Sequence, residues 1–114
     1  MEIKVIKDRI NKKELEEIAR EEFGDLVKAV VDLKQEIMAV GGELHADEEA
    51  LLLEEGSKQK DLWGINLYPD KTGDEWIEFD SMINVRPSQE NRSRSVESKA
   101  IQEKIRVIVK KLVS

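Results

Sequence analysis

The segment 76–86, Trp76-Ile-Glu-Phe-Asp-Ser-Met-Ile-Asn-Val-Arg86, alternates in polarity with the period of a half-buried strand. Ile77, Phe79, Ile83 and Val85 fall on one face, and Trp76, Glu78, Asp80, Met82, Asn84 and Arg86 on the other. Carboxylates at i and i+2 on one side of a strand can hold a hard divalent cation through oxygen ligands. They can also act as acid and base where their surroundings separate their pKa values. The following loop, residues 86–95, brings Arg86, Asn91, Arg92 and Arg94 close together in sequence. A guanidinium presents a planar fork that matches phosphate or carboxylate bidentately, so this loop reads as an anion clamp. The adjacent strand is expected to add Asn66 and Tyr68 to the same face. The structural alternatives are a solvated sheet face with a cross-strand ion pair, and a polar connection whose arginines neutralise the chain's own carboxylates.

His45 is the only histidine, which excludes a multi-histidine metal site. It lies where a strand hands over to a helix, with Glu43 and Asp47 near enough in sequence to orient an imidazole. No Gly-x-Ser-x-Gly elbow accompanies it, so serine–histidine catalysis lacks its nucleophile. Before a helix, a lone histidine more often serves as a structural residue. There is no phosphate-binding glycine loop, dinucleotide fingerprint, zinc motif or calcium loop. With no cysteine, disulfides, thiolate metal sites and cysteine nucleophiles are excluded. No cofactor is therefore expected, unless Glu78 and Asp80 hold Mg²⁺.

Local signals place these residues on elements. Residues 2–7 alternate as a short first strand, with Ile3, Val5 and the later Ile10 apolar. Asn11 and Glu14 form a capping-box pattern ahead of a helix over 12–23, and Gly24 suits its left-handed stop. Strands follow at 26–33 and 36–44, joined by a turn at Lys34-Gln35. Gly41-Gly42 marks a bulge or a close approach. A helix over 46–55 carries Leu51, Leu52 and Leu53, which suggests burial on several sides. Residues 62–68 form a core strand, with Trp63, Ile65 and Leu67 inward, and the strand 75–86 closes a hairpin with it. A last helix over 97–112 presents the stripe Ile101, Ile105, Ile108, Val109 and Leu112.

The order is β-α-β-β-α-β-β-α. It predicts an α+β fold: an antiparallel-rich four- to five-stranded sheet with three helices on one side, the other face open or meeting a second subunit. The 114 residues are expected to form a single domain, 1–114. A chain of this size buries roughly two-thirds of its unfolded surface, enough for a core without staples.

Charged residues are 39% of the chain; soluble domains average about 25%. Such an excess fits a heat-adapted surface or simply a very soluble one. The net charge of -6 argues against non-specific nucleic-acid binding, which needs cations against phosphates. No apolar run approaches the roughly 18 residues of a membrane span. The first residues lack a signal-peptide pattern, and a cytoplasmic location is expected.

Four stretches carry a family resemblance: Gly41-Gly-Glu-Leu-His-Ala-Asp47, Leu62-Trp-Gly-Ile-Asn-Leu-Tyr-Pro69, Phe79-Asp-Ser-Met-Ile-Asn-Val-Arg-Pro87 and Asn91-Arg-Ser-Arg94. Together they resemble a small prokaryotic family classed as a domain of unknown function. The resemblance spans nearly the whole chain and implies a complete natural protein, but no activity.

The residues themselves point to a small binding domain for an anionic ligand or a phosphate-bearing partner. Arg86, Arg92 and Arg94 would hold the anion, Asn84, Asn91 and Asn66 would orient it, and His45 would lie at the edge of the cleft. One alternative is a metal-assisted hydrolase or phosphodiesterase using Glu78 and Asp80. The other is an interaction protein, a homodimer or partner-bound subunit anchored by Trp76.

Overall fold

The computed structural model describes residues 2–114. Strands β1 (Lys4–Ile6), β2 (Val27–Asp32), β3 (Ile37–Val40), β4 (Leu62–Leu67) and β5 (Ile77–Glu78) form one antiparallel sheet in the order β1-β3-β2-β4-β5. Helices α1 (Lys12–Glu22), α2 (His45–Glu54) and α3 (Lys99–Leu112) interrupt the strands in the predicted order. The fold is therefore α+β, as expected. No helix among the described residues is long and apolar enough to cross a membrane.

The helix ends follow from side-chain chemistry. Asn11 Oδ1 accepts from the Glu14 amide at 2.8 Å, satisfying a donor that the first turn leaves free. Gly24, at φ +94°, closes the other end. Ser98 caps α3 through the Ile101 amide. The β2–β3 turn has no Asn-Gly pair because Asp32 organises it: its Oδ1 accepts from the amides of Lys34 and Gln35, both at 2.9 Å.

Period-two alternation divides the sheet into two faces. Val27, Ala29 and Val31 of β2, Met38 and Val40 of β3, and Trp63, Ile65 and Leu67 of β4 face the main core. Leu15 and Ala19 of α1, and Ile105, Ile108, Val109 and Leu112 of α3, complete it. The opposite face is not open. Val30, Ala39 and Leu62 pack there against Leu52 of α2. The expectation of three helices on one side is thus corrected: α1 and α3 cover one face and α2 the other. Of the three leucines, only Leu52 is buried, and Leu53 faces solvent. At the sheet edge Ile6 and Ile10 join the main core, whereas Ile3 and Val5 pack on the α2 side.

The crossing of α2 to the second face starts at Gly41-Gly42. Gly41 has φ +94°, a conformation L side chains rarely adopt. At Gly42 a Cβ would meet Glu48 Cγ at 2.8 Å, so only glycine admits the Glu48 side chain. The Gly42 amide donates to Glu48 Oε2 at 2.9 Å. The close approach expected at this pair is made by the chain's own helix.

A second correction concerns the strand 75–86. The structure keeps only Ile77–Glu78 in the sheet. The chain then turns into a 3-10 turn, Met82–Asn84, with Ser81 Oγ accepting from the Ile83 amide.

Burial pushes the Glu48 carboxyl up to about 9, and the Gly42 N–H only partly offsets this. The folded chain therefore keeps a proton that the unfolded chain releases near the ordinary value of 4.5. The associated stability is complete below that value and is lost as pH rises towards 9. Glu48→Gln keeps an acceptor for Gly42 and cannot ionise. The urea-unfolding free energy of this variant, relative to the parent, should climb between about pH 5 and pH 8 by up to roughly 4 kcal/mol. A difference that does not change with pH would refute a buried ionisable Glu48.

Candidate functional site

β4 has a full partner in β2, but its outer neighbour β5 pairs only with Asn66 and Leu67. Outside that short pairing lies the segment after Glu78. Gly64 lets it approach, because a Cβ there would stand 2.6 Å from Ser81 Cβ. Asn84, fully buried, then takes the place of a strand. Its Oδ1 accepts from the Gly64 amide at 2.8 Å and its Nδ2 donates to the Gly64 carbonyl at 2.9 Å. The same Nδ2 reaches the Arg94 carbonyl at 3.1 Å.

Arg86 continues this closure. It is 8% exposed. Its Nε donates to the Ile83 carbonyl at 2.9 Å and its Nη1 to the Gln59 carbonyl at 2.8 Å. Its Nη2 donates to the Leu62 carbonyl. The guanidinium lies 4.8 Å from the Trp63 ring centroid and 3.7 Å from Glu49 Oε2. Burial lowers its pKa while Glu49 opposes the shift. Asn91 is equally committed: its Nδ2 donates to the carbonyls of Asn84 and Ser95, both at 2.7 Å, and its Oδ1 accepts from the Glu97 amide.

The predicted ligand-binding residues therefore separate into two groups. Asn84, Arg86 and Asn91 are buried and bonded to backbone groups of this chain. Arg92 and Arg94 are exposed. The three arginines do not converge on one surface.

Asn66, Tyr68 and Glu78 do share a face, as expected. Asn66 Nδ2 and Tyr68 Oη both donate to Glu78 Oε1, at 2.9 and 3.1 Å. Asp80 accepts from Arg94 Nε at 2.8 Å. Both carboxylates thus have donors within the chain. Among the described residues no group of three or more His, Asp or Glu is arranged to hold a metal ion.

His45 and Arg94 border one cleft. With Lys28 and Ser81 they line a cleft of about 170 Å³ at the start of α2. His45 Nε2 lies 2.8 Å from the Ile65 carbonyl, which can only accept, so Nε2 carries the proton. Burial holds the imidazole below its ordinary pKa, helped by the Lys28 charge, while the Ile65 carbonyl and Asp80 pull the other way. Leu44 occupies the N-cap of α2 and offers no capping side chain. The Asp47 amide is taken by the Leu44 carbonyl at 3.1 Å, which leaves the amides of His45 and Ala46, both in the cleft lining, without a partner among the described residues. Sequence reasoning passed over Lys28, although its phase already placed it on the face of Val30 and Asp32.

Trp76 also lies elsewhere than expected. The 3-10 turn Gly73–Glu75 precedes it, and its ring packs against the main core rather than beside Tyr68 on the polar face.

Residues 4–112 match the model of a family described as Protein of unknown function (DUF5674). No curated protein and no solved structure matches the chain.

Removing the Asn84 amide would strand the amide and carbonyl of Gly64 in the interior. Asn84→Ala should therefore lower the unfolding free energy by about 2–4 kcal/mol, and amide exchange at Gly64 should accelerate. Arg92→Ala, at an exposed position, should change stability by less than about 0.5 kcal/mol. Equal effects in the two variants would contradict the strand-surrogate role of Asn84.

Proposed function

The chain belongs to the DUF5674 family, and we propose that it is a cytoplasmic binding domain for a small phosphate-bearing anion. The anion sits in the cleft between the start of α2 and Arg94. One observation carries this: His45 and Ala46, at the start of α2 and without a side-chain cap, line the same cleft as two basic side chains from distant segments, Lys28 and Arg94. Free helix amides and the positive end of the helix dipole favour an anion.

The partners divide the work. Arg94 spends its Nε on Asp80, and its terminal nitrogens make no hydrogen bond among the described residues. Lys28 rests 5.0 Å from the Phe23 ring centroid and forms no ion pair among the described residues. Neutral His45, fixed through Nε2, keeps its other nitrogen as an acceptor, which suits a phosphate that still carries one proton. Leu44 and Met82 border the cleft and are 55% and 66% exposed. Apolar surface there favours an organic phosphate over the free ion. Asn66, below His45 on β4, serves to hold Glu78 and the turn at Asp80 rather than the anion.

Titration of ¹⁵N-labelled protein with inorganic phosphate should shift the amides of His45, Ala46 and Ser81. Arg94→Gln and Lys28→Gln should each weaken binding by about tenfold, the loss of one charge-assisted contact. Sulfate isolates the histidine because its own charge is constant: its affinity should rise as pH falls below the depressed pKa of His45. Absence of shifts in the first turn of α2 with both anions would overturn the proposal.

A further inference from the structure

A larger cavity, of about 460 Å³, lies away from the His45 cleft and shares no residue with it. Its volume falls in the range of about 300–1,000 Å³ typical of small-molecule sites. Trp76 and Ile77 provide apolar wall. Lys12 from the start of α1, Arg106 and Lys110 from α3, and Lys71 from the loop before β5 surround it. Asp74 is the one acidic side chain in the lining.

The charge arrangement asks for an explanation. The chain has 25 acidic and 19 basic side chains, so carboxylates are in excess and could neutralise every cation. Lys12, Lys71 and Lys110 form no ion pair among the described residues, as holds for most cations of this chain; what sets them apart is that they gather at one cavity. Arg106 pairs with Glu103, at 3.6 Å and one turn away on α3, and lies 5.1 Å from the Phe79 ring centroid, while Lys71 lies 4.5 Å from that of Tyr68. Lys12 also stands in the first turn of a helix, where the dipole disfavours a cation. Arg106 and Lys110 are four residues apart, so both project from the same side of α3. Four cations gathered against the general charge of the protein suit a multiply charged anion with several oxygens.

The aromatic component is equally specific. Trp63 is buried in the core, whereas Trp76 is half-buried and lines the cavity. Lys12 Nζ lies 5.6 Å from the Trp76 ring centroid. A planar ring laid on the part of the indole that lines the cavity gains stacking energy that a bare phosphate cannot.

We infer that this groove binds a mononucleotide-like ligand, with its planar ring against Trp76 and its phosphate held by Arg106, Lys110 and Lys12. The site is independent of the phosphate cleft at His45.

Tryptophan fluorescence reads the contact directly, since only Trp76 of the two tryptophans reaches the cavity. Adenosine 5′-monophosphate should quench it saturably. Adenosine and inorganic phosphate, each alone, should bind at least about tenfold more weakly, because each lacks one half of the contact. Lys110→Gln, at an exposed position that leaves the core intact, should weaken the nucleotide several-fold. Arg94→Gln should leave the quench unchanged, which separates this site from the His45 cleft. No saturable quench with the nucleotide would overturn the inference. So would equal binding of inorganic phosphate, which would make the groove a plain anion site. Quenching on raising protein concentration alone, with dimer mass in sedimentation, would assign the groove to a second copy of the chain and likewise overturn it.

Discussion

A strand with a full neighbour on only one side leaves backbone donors and acceptors that must find partners elsewhere. β4 faces this because β5 reaches only its last two residues. The Asn84 amide supplies both an acceptor and a donor to Gly64, and the Arg86 guanidinium takes the Leu62 carbonyl. Two side chains thus do what a longer strand would have done. Once they are committed, the rest of the loop must be built around them. Asn91 holds the Asn84 carbonyl, and Glu97 Oε2 accepts from the amides of Arg92 and Ser93. A polar, arginine-rich stretch is therefore an ordered lock on the sheet edge.

The same logic explains why glycine recurs on the second face. At Gly42, just beyond β3, and at Gly64, within β4, a side chain from elsewhere lies directly on the backbone, Glu48 at one and Ser81 at the other. Removing Cβ there brings α2 and the Met82–Asn84 turn close enough to seal Leu52, Val30 and Leu62. The approach also buries a carboxyl group at Glu48, whose Oε1 has no partner among the described residues. Close packing and a raised carboxyl pKa are two consequences of one contact.

Function follows from which charges the fold has already used. Arg86, Glu78 and Asp80 are the residues most suggestive of chemistry by spacing, and each has a partner inside the chain. The cations that border the two cavities come from segments that look unremarkable singly: Lys28 in a strand, Lys12 at a helix start, Arg106 and Lys110 on α3. They gather at two cavities of different size, one at a helix N-terminus and one beside an indole. The recognition of anions proposed above rests on this distribution.

Local signals sufficed for the order of elements. Asn11, Gly24 and the Ile101–Leu112 stripe mark α1 and α3 because caps and helical periodicity act over three or four residues. Alternation in β2 and β4 likewise told which side chains enter the main core. Alternation alone does not tell whether the backbone has a neighbour to bond, so residues 79–86 read as a strand although they leave the sheet. It cannot tell whether a polar side chain meets water or an unpaired carbonyl, which is why Asn84, Arg86 and Asn91 looked like binding residues. The side on which α2 packs, the burial of Glu48, and the placing of His45 and Arg94 at one cavity and of Lys12 and Lys110 at another all depend on how distant segments pack. Only the tertiary structure decides them, because the partner that satisfies each group lies far along the chain.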